Sequence, residues 1–287
     1  MKKTLIAHSP DADDIFMYYA IKFGWVDMKD TKFDNIAEDI QTLNEKALRG
    51  EYEIVAISFA LYPHIKDDYA PLRTAVSFGE GYGPKIIKKK GANLKRNFKV
   101  ALSGEHTTNA MLFRIAYPNA RITYMNFLEI EQAVLDGKVD AGVLIHESIL
   151  TYDSSLEVER EMWDIWQELA GKELPLPLGG MAISRSIPLN KAIDYEKTLT
   201  KAVQVARDHK HKLSEMLLER DLVRIDAPTL DKYLELYAND ESIELSDIQY
   251  EAIDKLFELG FKHGYYDSLV KAKEFMIPIE YEELRKG

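Results

Sequence analysis

The chain has 287 residues, enough for two lobes that each bury a core, and its 46% hydrophobic and 30% charged content is that of a folded globular protein. It has no cysteine, which excludes disulfides and thiolate metal sites, and its net charge of −11 argues against a general nucleic-acid binder, which needs a basic face. No apolar run is long enough for a membrane span, and the apolar stretch after Lys3 is too short for a signal peptide, so the expected location is cytoplasmic.

The first strand is expected over Lys3 to His8, followed by the turn-rich SPDADD and a helix from Ile15 to Trp25. A second strand is expected from Thr31 to Ala37. Asp39 then serves as N-cap of the helix IQTLNEKALRG, which Gly50 ends, and Glu53 to Phe59 reads as a third, buried strand. The same order returns. Phe98 to Ser103 is a strand, GEHTTNAMLFRIAY a loop leading into a helix, Arg121 to Met125 a strand, Leu128 to Leu135 helical, and Asp140 to His146 a closing strand. Strand and helix alternating in this way favour parallel sheets.

Two stretches break the pattern. In FGEGYGPKIIKKKG, Gly79, Gly81 and Gly83 interrupt regular structure, and the lysines of KIIKKK suit an exposed edge strand. PLPLGGMAISRS is the second break, and after it come helices over Tyr195 to Leu218, Thr229 to Tyr237 and Ser246 to Phe261. The expected fold is therefore an α/β clamshell of two lobes, each a mixed, mostly parallel sheet flanked by helices. Residues 1–88 with 184–287 would form lobe I, and residues 89–183 an inserted lobe II.

Ligands of open parallel sheets bind beyond the carboxyl ends of the strands. Those ends carry Ser9 to Asp14, Ser58, Ser103 to Asn109 and His146, which places polar groups on two facing rims. An imidazole at a strand end is commonly a satisfied core residue, but on a cleft wall it is also a candidate base. Thr107 and Thr108 at a helix start can cap that helix or offer a positive helix end to a carboxylate or phosphate. In SPDADDIF, Ile15 and Phe16 stand where a calcium loop needs its glycine turn. Helix capping by Asp11 or Asp13 is expected instead, with one carboxylate left for a substrate hydroxyl. His209 and His211 are read as surface residues. There is no P-loop, dinucleotide fingerprint or G-x-S-x-G elbow.

The segments SPDADDIFMYYAI, AISFALY, GEGYGP, SGEHTTNAMLF, AGVLIHESILTY and LPLPLGG, in this order, resemble the 1,4-dihydroxy-6-naphthoate synthase family of the futalosine route to menaquinone. The resemblance covers nearly the whole chain, is densest from Ser103 to Gly180, and is most specific in IHES followed by LPLPLGG. It implies the two-lobed fold of type 2 periplasmic binding proteins and a lyase that converts cyclic dehypoxanthinylfutalosine to 1,4-dihydroxy-6-naphthoate, with no cofactor and no metal. It also implies His146 as proton acceptor, and a substrate pocket lined by Ala56, Ile57 and Ser58 and by Thr108 and Asn109. Ser9, Asp14 and Thr107 join that substrate-binding set from the rim positions. The family loop commonly reads S-P-C-P-N-D-T-F, so Asp14 is kept while Asp11 and Asp13 depart from it. Glu147 either orients the ring of its neighbour or is solvated.

Two other functions are weighed. Chorismate dehydratase shares the pathway and fold, and His146 speaks against it; a cytoplasmic small-anion-binding protein without chemistry is the alternative from another class. The expected partners are a small carboxylate-bearing substrate and, in assembly, a second copy forming a homodimer, with neither nucleic acid nor membrane.

Overall fold

The computed structural model describes residues 3–28, 31–237 and 242–279. The chain is α/β and builds two five-stranded sheets. It begins with β1 (Thr4–His8), α1 (Ala12–Lys22), β2 (Phe33–Ala37), α2 (Ile40–Leu48), β3 (Ile54–Ser58), α3 (Tyr62–Ile65) and β4 (Tyr69–Gly79). There follow β5 (Lys85–Lys89), β6 (Lys99–Leu102), α4 (Thr108–Ala116), β7 (Arg121–Tyr124), α5 (Phe127–Leu135), β8 (Ala141–Leu144), β9 (Leu156–Glu161) and α6 (Met162–Ala170). The chain then returns through β10 (Leu176–Ser184) to α7 (Leu189–Asp208), α8 (Lys210–Glu219), α9 (Ala227–Tyr237), α10 (Asp247–Lys262) and α11 (Ala272–Phe275).

The two sheets share one plan. The first runs β2-β1-β3-β10-β4 and the second β7-β6-β8-β5-β9. In each, three parallel strands are followed by an antiparallel fourth, to which the fifth pairs antiparallel in turn. The parallel strands β1, β3, β6 and β8 end at His8, Ser58, Leu102 and Leu144, and the loops beyond them converge on one cavity. Most of the central strand residues are wholly buried, as continuous apolar strands covered on both faces require.

Several expectations are corrected. Lys85 to Lys89 is not an edge: β5 is bonded on one side to β8 and on the other to β9, with Ile86 and Ile87 fully buried. Its lysines are tolerated because β9 faces them with acids, Lys88 Nζ lying 2.5 Å from Glu159 and 3.6 Å from Glu157. PLPLGG is no break but the start of β10. Its Pro177 falls at a register shift, and its glycines answer to space, since a Cβ on Gly179 would sit 2.7 Å from the carbonyl oxygen of Ile57.

Strand β4 was hidden by its own irregularity, a bulge that leaves Ala75 at φ 56°. The helix expected from Tyr195 to Leu218 is two helices broken at His209, with the first starting earlier, after Pro188. By sheet membership β5 belongs with the second sheet and β10 with the first.

Candidate functional site

The cavity lies between the sheets and encloses about 1070 Å³ including its open mouth. Every expected substrate-binding residue lines it: Ser9, Asp14, Ala56, Ile57, Ser58, Thr107, Thr108 and Asn109, together with His146. The side chain of Asp13 lies outside the described residues.

The β1–α1 loop is shaped from behind. His8, fully buried, shares a 2.7 Å hydrogen bond between Nδ1 and the Ser9 carbonyl, and its Nε2 lies 2.9 Å from the Asn35 side-chain amide. The carbonyl can only accept, so Nδ1 donates and Nε2 accepts: the ring is neutral. Burial pushes its pKa below the usual 6.5, partly offset by the Ser9 carbonyl and the charge of Asp11. The ring stacks on Tyr18 at 5.3 Å. In front of it the Ser9 N–H donates to Asp14 Oδ2 at 2.7 Å, so one Asp14 oxygen is committed to closing the loop. Asp11 occupies the N-cap position of α1 but makes no side-chain capping bond. Its carboxylate turns across the cleft instead.

There it meets His146. Strand β8 ends at Leu144, and His146 opens a short 3-10 turn at φ 54°, a left-handed conformation uncommon and strained for a residue with a side chain. The turn swings the imidazole into the cavity, where Nδ1 lies 2.6 Å from Asp11 Oδ2 and the ring packs at right angles on Phe127, centroids 4.9 Å apart. Burial alone would raise the Asp11 pKa, but the charge of His146 and the bond to it outweigh burial and hold it at about 2. Glu147, also buried, is shifted the opposite way, up, by burial and by the nearby Asp11 charge. It reaches Arg224 at 3.2 Å, and that guanidinium lies over the face of Phe127. Glu147 is therefore not solvated; it ties the β8 end to Arg224.

On the opposite rim α4 begins. Thr107 caps it, its hydroxyl accepting from Ala110 N at 3.1 Å. Thr108 Oγ1 donates to the Leu178 carbonyl at 2.9 Å and accepts from Ala60 N at 3.2 Å, so both threonine hydroxyls are taken up by protein. What the helix offers a ligand is its positive end and the Asn109 amide, which can donate through Nδ2, while its buried Oδ1, without a hydrogen-bond partner, calls for a donor such as a ligand hydroxyl. Ser58 is fixed by the buried Asn44, which donates to its hydroxyl at 3.1 Å and accepts from its N–H at 3.0 Å.

Sequence reasoning missed the side of the cavity supplied by α7 and by the β4 bulge. Arg207, in the last turn of α7, brings a guanidinium to the lining, and Ala75, Val76 and Ser77 form one wall with Gly179 and Gly180, which pair with Ser77 and Val76. Arg207 also bonds Asp208 at 2.7 Å. No signal in a charged helix separates the one arginine that reaches a cavity from those that do not. Asn44 and Asp11 could have been suspected only as polar residues inside otherwise apolar or capping patterns.

Two α/β lobes facing each other across one polar-rimmed cavity define a protein of the two-lobed binding-protein class. The periplasmic aliphatic sulphonate binding protein of Escherichia coli shares this fold with a TM-score of 0.65, over 96% of this chain and 92% of its own, at 12% identity. A crystal structure of a protein from Archaeoglobus fulgidus is similar with a TM-score of 0.85 and 34% identity, over 92% of this chain and 98% of that one. The chain is also 31% identical over 271 residues to 1,4-dihydroxy-6-naphthoate synthase of Streptomyces coelicolor, spanning 92% of this chain and 95% of that protein. The profile of the menaquinone-biosynthesis family matches residues 4–262, and the chain belongs to that family.

Proposed function

We propose that the chain is a 1,4-dihydroxy-6-naphthoate synthase, a carbon–carbon lyase that converts cyclic dehypoxanthinylfutalosine to 1,4-dihydroxy-6-naphthoate in menaquinone biosynthesis. The name of the Streptomyces relative supports the reaction. The single structural observation that carries the reading is His146, turned into the cavity at the carboxyl end of β8 with Nδ1 bonded to Asp11.

A neutral imidazole suits proton abstraction from carbon near pH 7, provided that the resulting anion is delocalised. The substrate carboxylate is held at the start of α4, where the helix end, Asn109 and the nearby Ser58 converge. Ala56 and Ile57 give the ring system an apolar wall. Loss of the proton leaves the electron pair on the substrate, and formation of the aromatic naphthol drives the carbon–carbon cleavage that releases the small fragment. The steps are proton transfer and fragmentation, so neither metal nor redox cofactor is part of the proposal. A cytoplasmic location belongs to the same reading; among the described residues no helix is long and apolar enough to cross a membrane.

The test is incubation of the purified chain with cyclic dehypoxanthinylfutalosine and, separately, with chorismate, following naphthoate or dehydrated product by absorbance. Naphthoate from the first and no reaction of the second is expected. Dehydration of chorismate, or turnover of neither, contradicts the proposal.

A further inference from the structure

We propose that Asp11 is the positioning residue of the base: it fixes the ring tautomer of His146 and balances the charge that the ring gains with the substrate proton. The proposal rests on His146 being that base. Asp11 follows β1 of the first sheet and His146 follows β8 of the second, so the pair bridges the cleft and is complete only when the lobes are together.

The geometry argues for this role over a structural one. Asp11 stands at the N-cap of α1 yet makes no capping bond, so helix stability does not account for its carboxylate. It is 5% exposed, and an ionised carboxylate that deep needs a charged or strongly donating partner. Among the described residues its ion pair is with His146 Nδ1 at 2.6 Å. An ionised carboxylate only accepts, so Nδ1 carries a hydrogen in either charge state of the ring, and in the neutral ring that acts as base the lone pair resides on Nε2. When Nε2 takes the proton, the substrate C–H bond breaks, the N–H bond forms and the electron pair stays with the substrate. The imidazolium so formed lies against a fixed negative charge.

The other charged groups near the ring are differently engaged. Glu147, on the same turn, bonds Arg224, and Arg224 lies over Phe127. Asp14 is bonded to Ser9 N, and Arg207 enters the cavity from α7 beside Asp208. Asp11 thus supplies the counter-charge that His146 uses.

The experiment compares wild type with Asp11→Asn and Asp11→Ser, the second keeping a good helix N-cap while removing the charge. Each is measured for kcat, KM and their pH profiles on the cyclic substrate. The His146 ring is titrated by nuclear magnetic resonance of the isotope-labelled free protein. Both variants are expected to lose about 10²–10³-fold in kcat, with KM within a few-fold. Their His146 titration and the acidic limb of kcat should move down by about one pH unit or more, because an opposite charge that favours the imidazolium is gone. An unmoved titration overturns the pairing, and a moved titration with unchanged kcat overturns its role in the reaction. If Asp11→Asn does not fold, Asp11→Ser decides. The ring titration needs no turnover, so a wild type inactive on the cyclic substrate counts against the proposed reaction while the pairing is still decided.

Discussion

Thr108 shows how a cavity-lining side chain can join the two sides of a site through its own hydrogen bonds. Its hydroxyl is bonded on both sides, to Leu178 O and Ala60 N, which belong to the first-sheet side of the cleft, while the residue itself begins α4 on the other. Thr108→Val removes both bonds and leaves a buried N–H and a buried carbonyl unsatisfied. That penalty of about 1–3 kcal/mol falls on the closed arrangement, so KM is expected to rise about tenfold or more with kcat little changed. Steady-state kinetics beside a melting curve checks this. A variant with wild-type KM and an intact fold would show that the bridge plays no part in binding. The sequence made the doubled threonine visible as a cap or an anion site, and Thr107 is indeed the cap. The division of labour between the two was not visible, because it depends on which backbone groups of another lobe come within reach.

At the scale of elements, the strand β1 ends in a histidine that governs the loop after it. His8 is neutral and buried between Ser9 O, Asn35 and Tyr18, and its pKa is depressed by burial. Below about 6.5 the unfolded chain binds a proton that the folded chain refuses until its lower pKa is reached, so through that window stability falls as the solution is acidified. In His8→Gln this contribution to the slope should vanish. The variant is expected to be less stable at neutral pH by about 1–3 kcal/mol, from the buried bonds lost, but to show a flatter dependence of melting temperature as the pH falls below about 6.5. Parallel melting-against-pH curves for the two proteins would contradict the assignment.

The parallel strands and their order were legible because apolar runs such as EIVAISF and DAGVLI alternate with capped helices. Strands β4, β9 and β10 were not. β10 carries Pro177, Gly179 and Gly180, residues that propensity counts as breakers and that this sheet needs for a register shift and for a close approach to Ile57. The lysines of β5 read as an edge only because the acids that neutralise them, Glu157 and Glu159, lie on a strand far along the chain.

Across the whole molecule, contacts join the two sides of the cavity: Asp11 with His146, Arg224 with Glu147, Ala60 N with Thr108, and Gly104 packed so close to Gln41 that a Cβ there would collide. Local pattern placed most of the rim residues at strand ends, since strand polarity fixes where loops emerge. It could not show that a supposed helix cap on one rim would pair with the imidazole of the other, because that follows from the meeting of lobes and not from either segment. The proposed reaction turns on His146 as the base. The most direct test is the rate of naphthoate formation from cyclic dehypoxanthinylfutalosine by wild type and His146→Ala, at saturating substrate, with binding measured separately. Wild type should turn over, and His146→Ala should bind the substrate with an unchanged fold yet form product about 10²–10⁴-fold more slowly. A variant within a few-fold of wild type would contradict the assignment of His146 as the base.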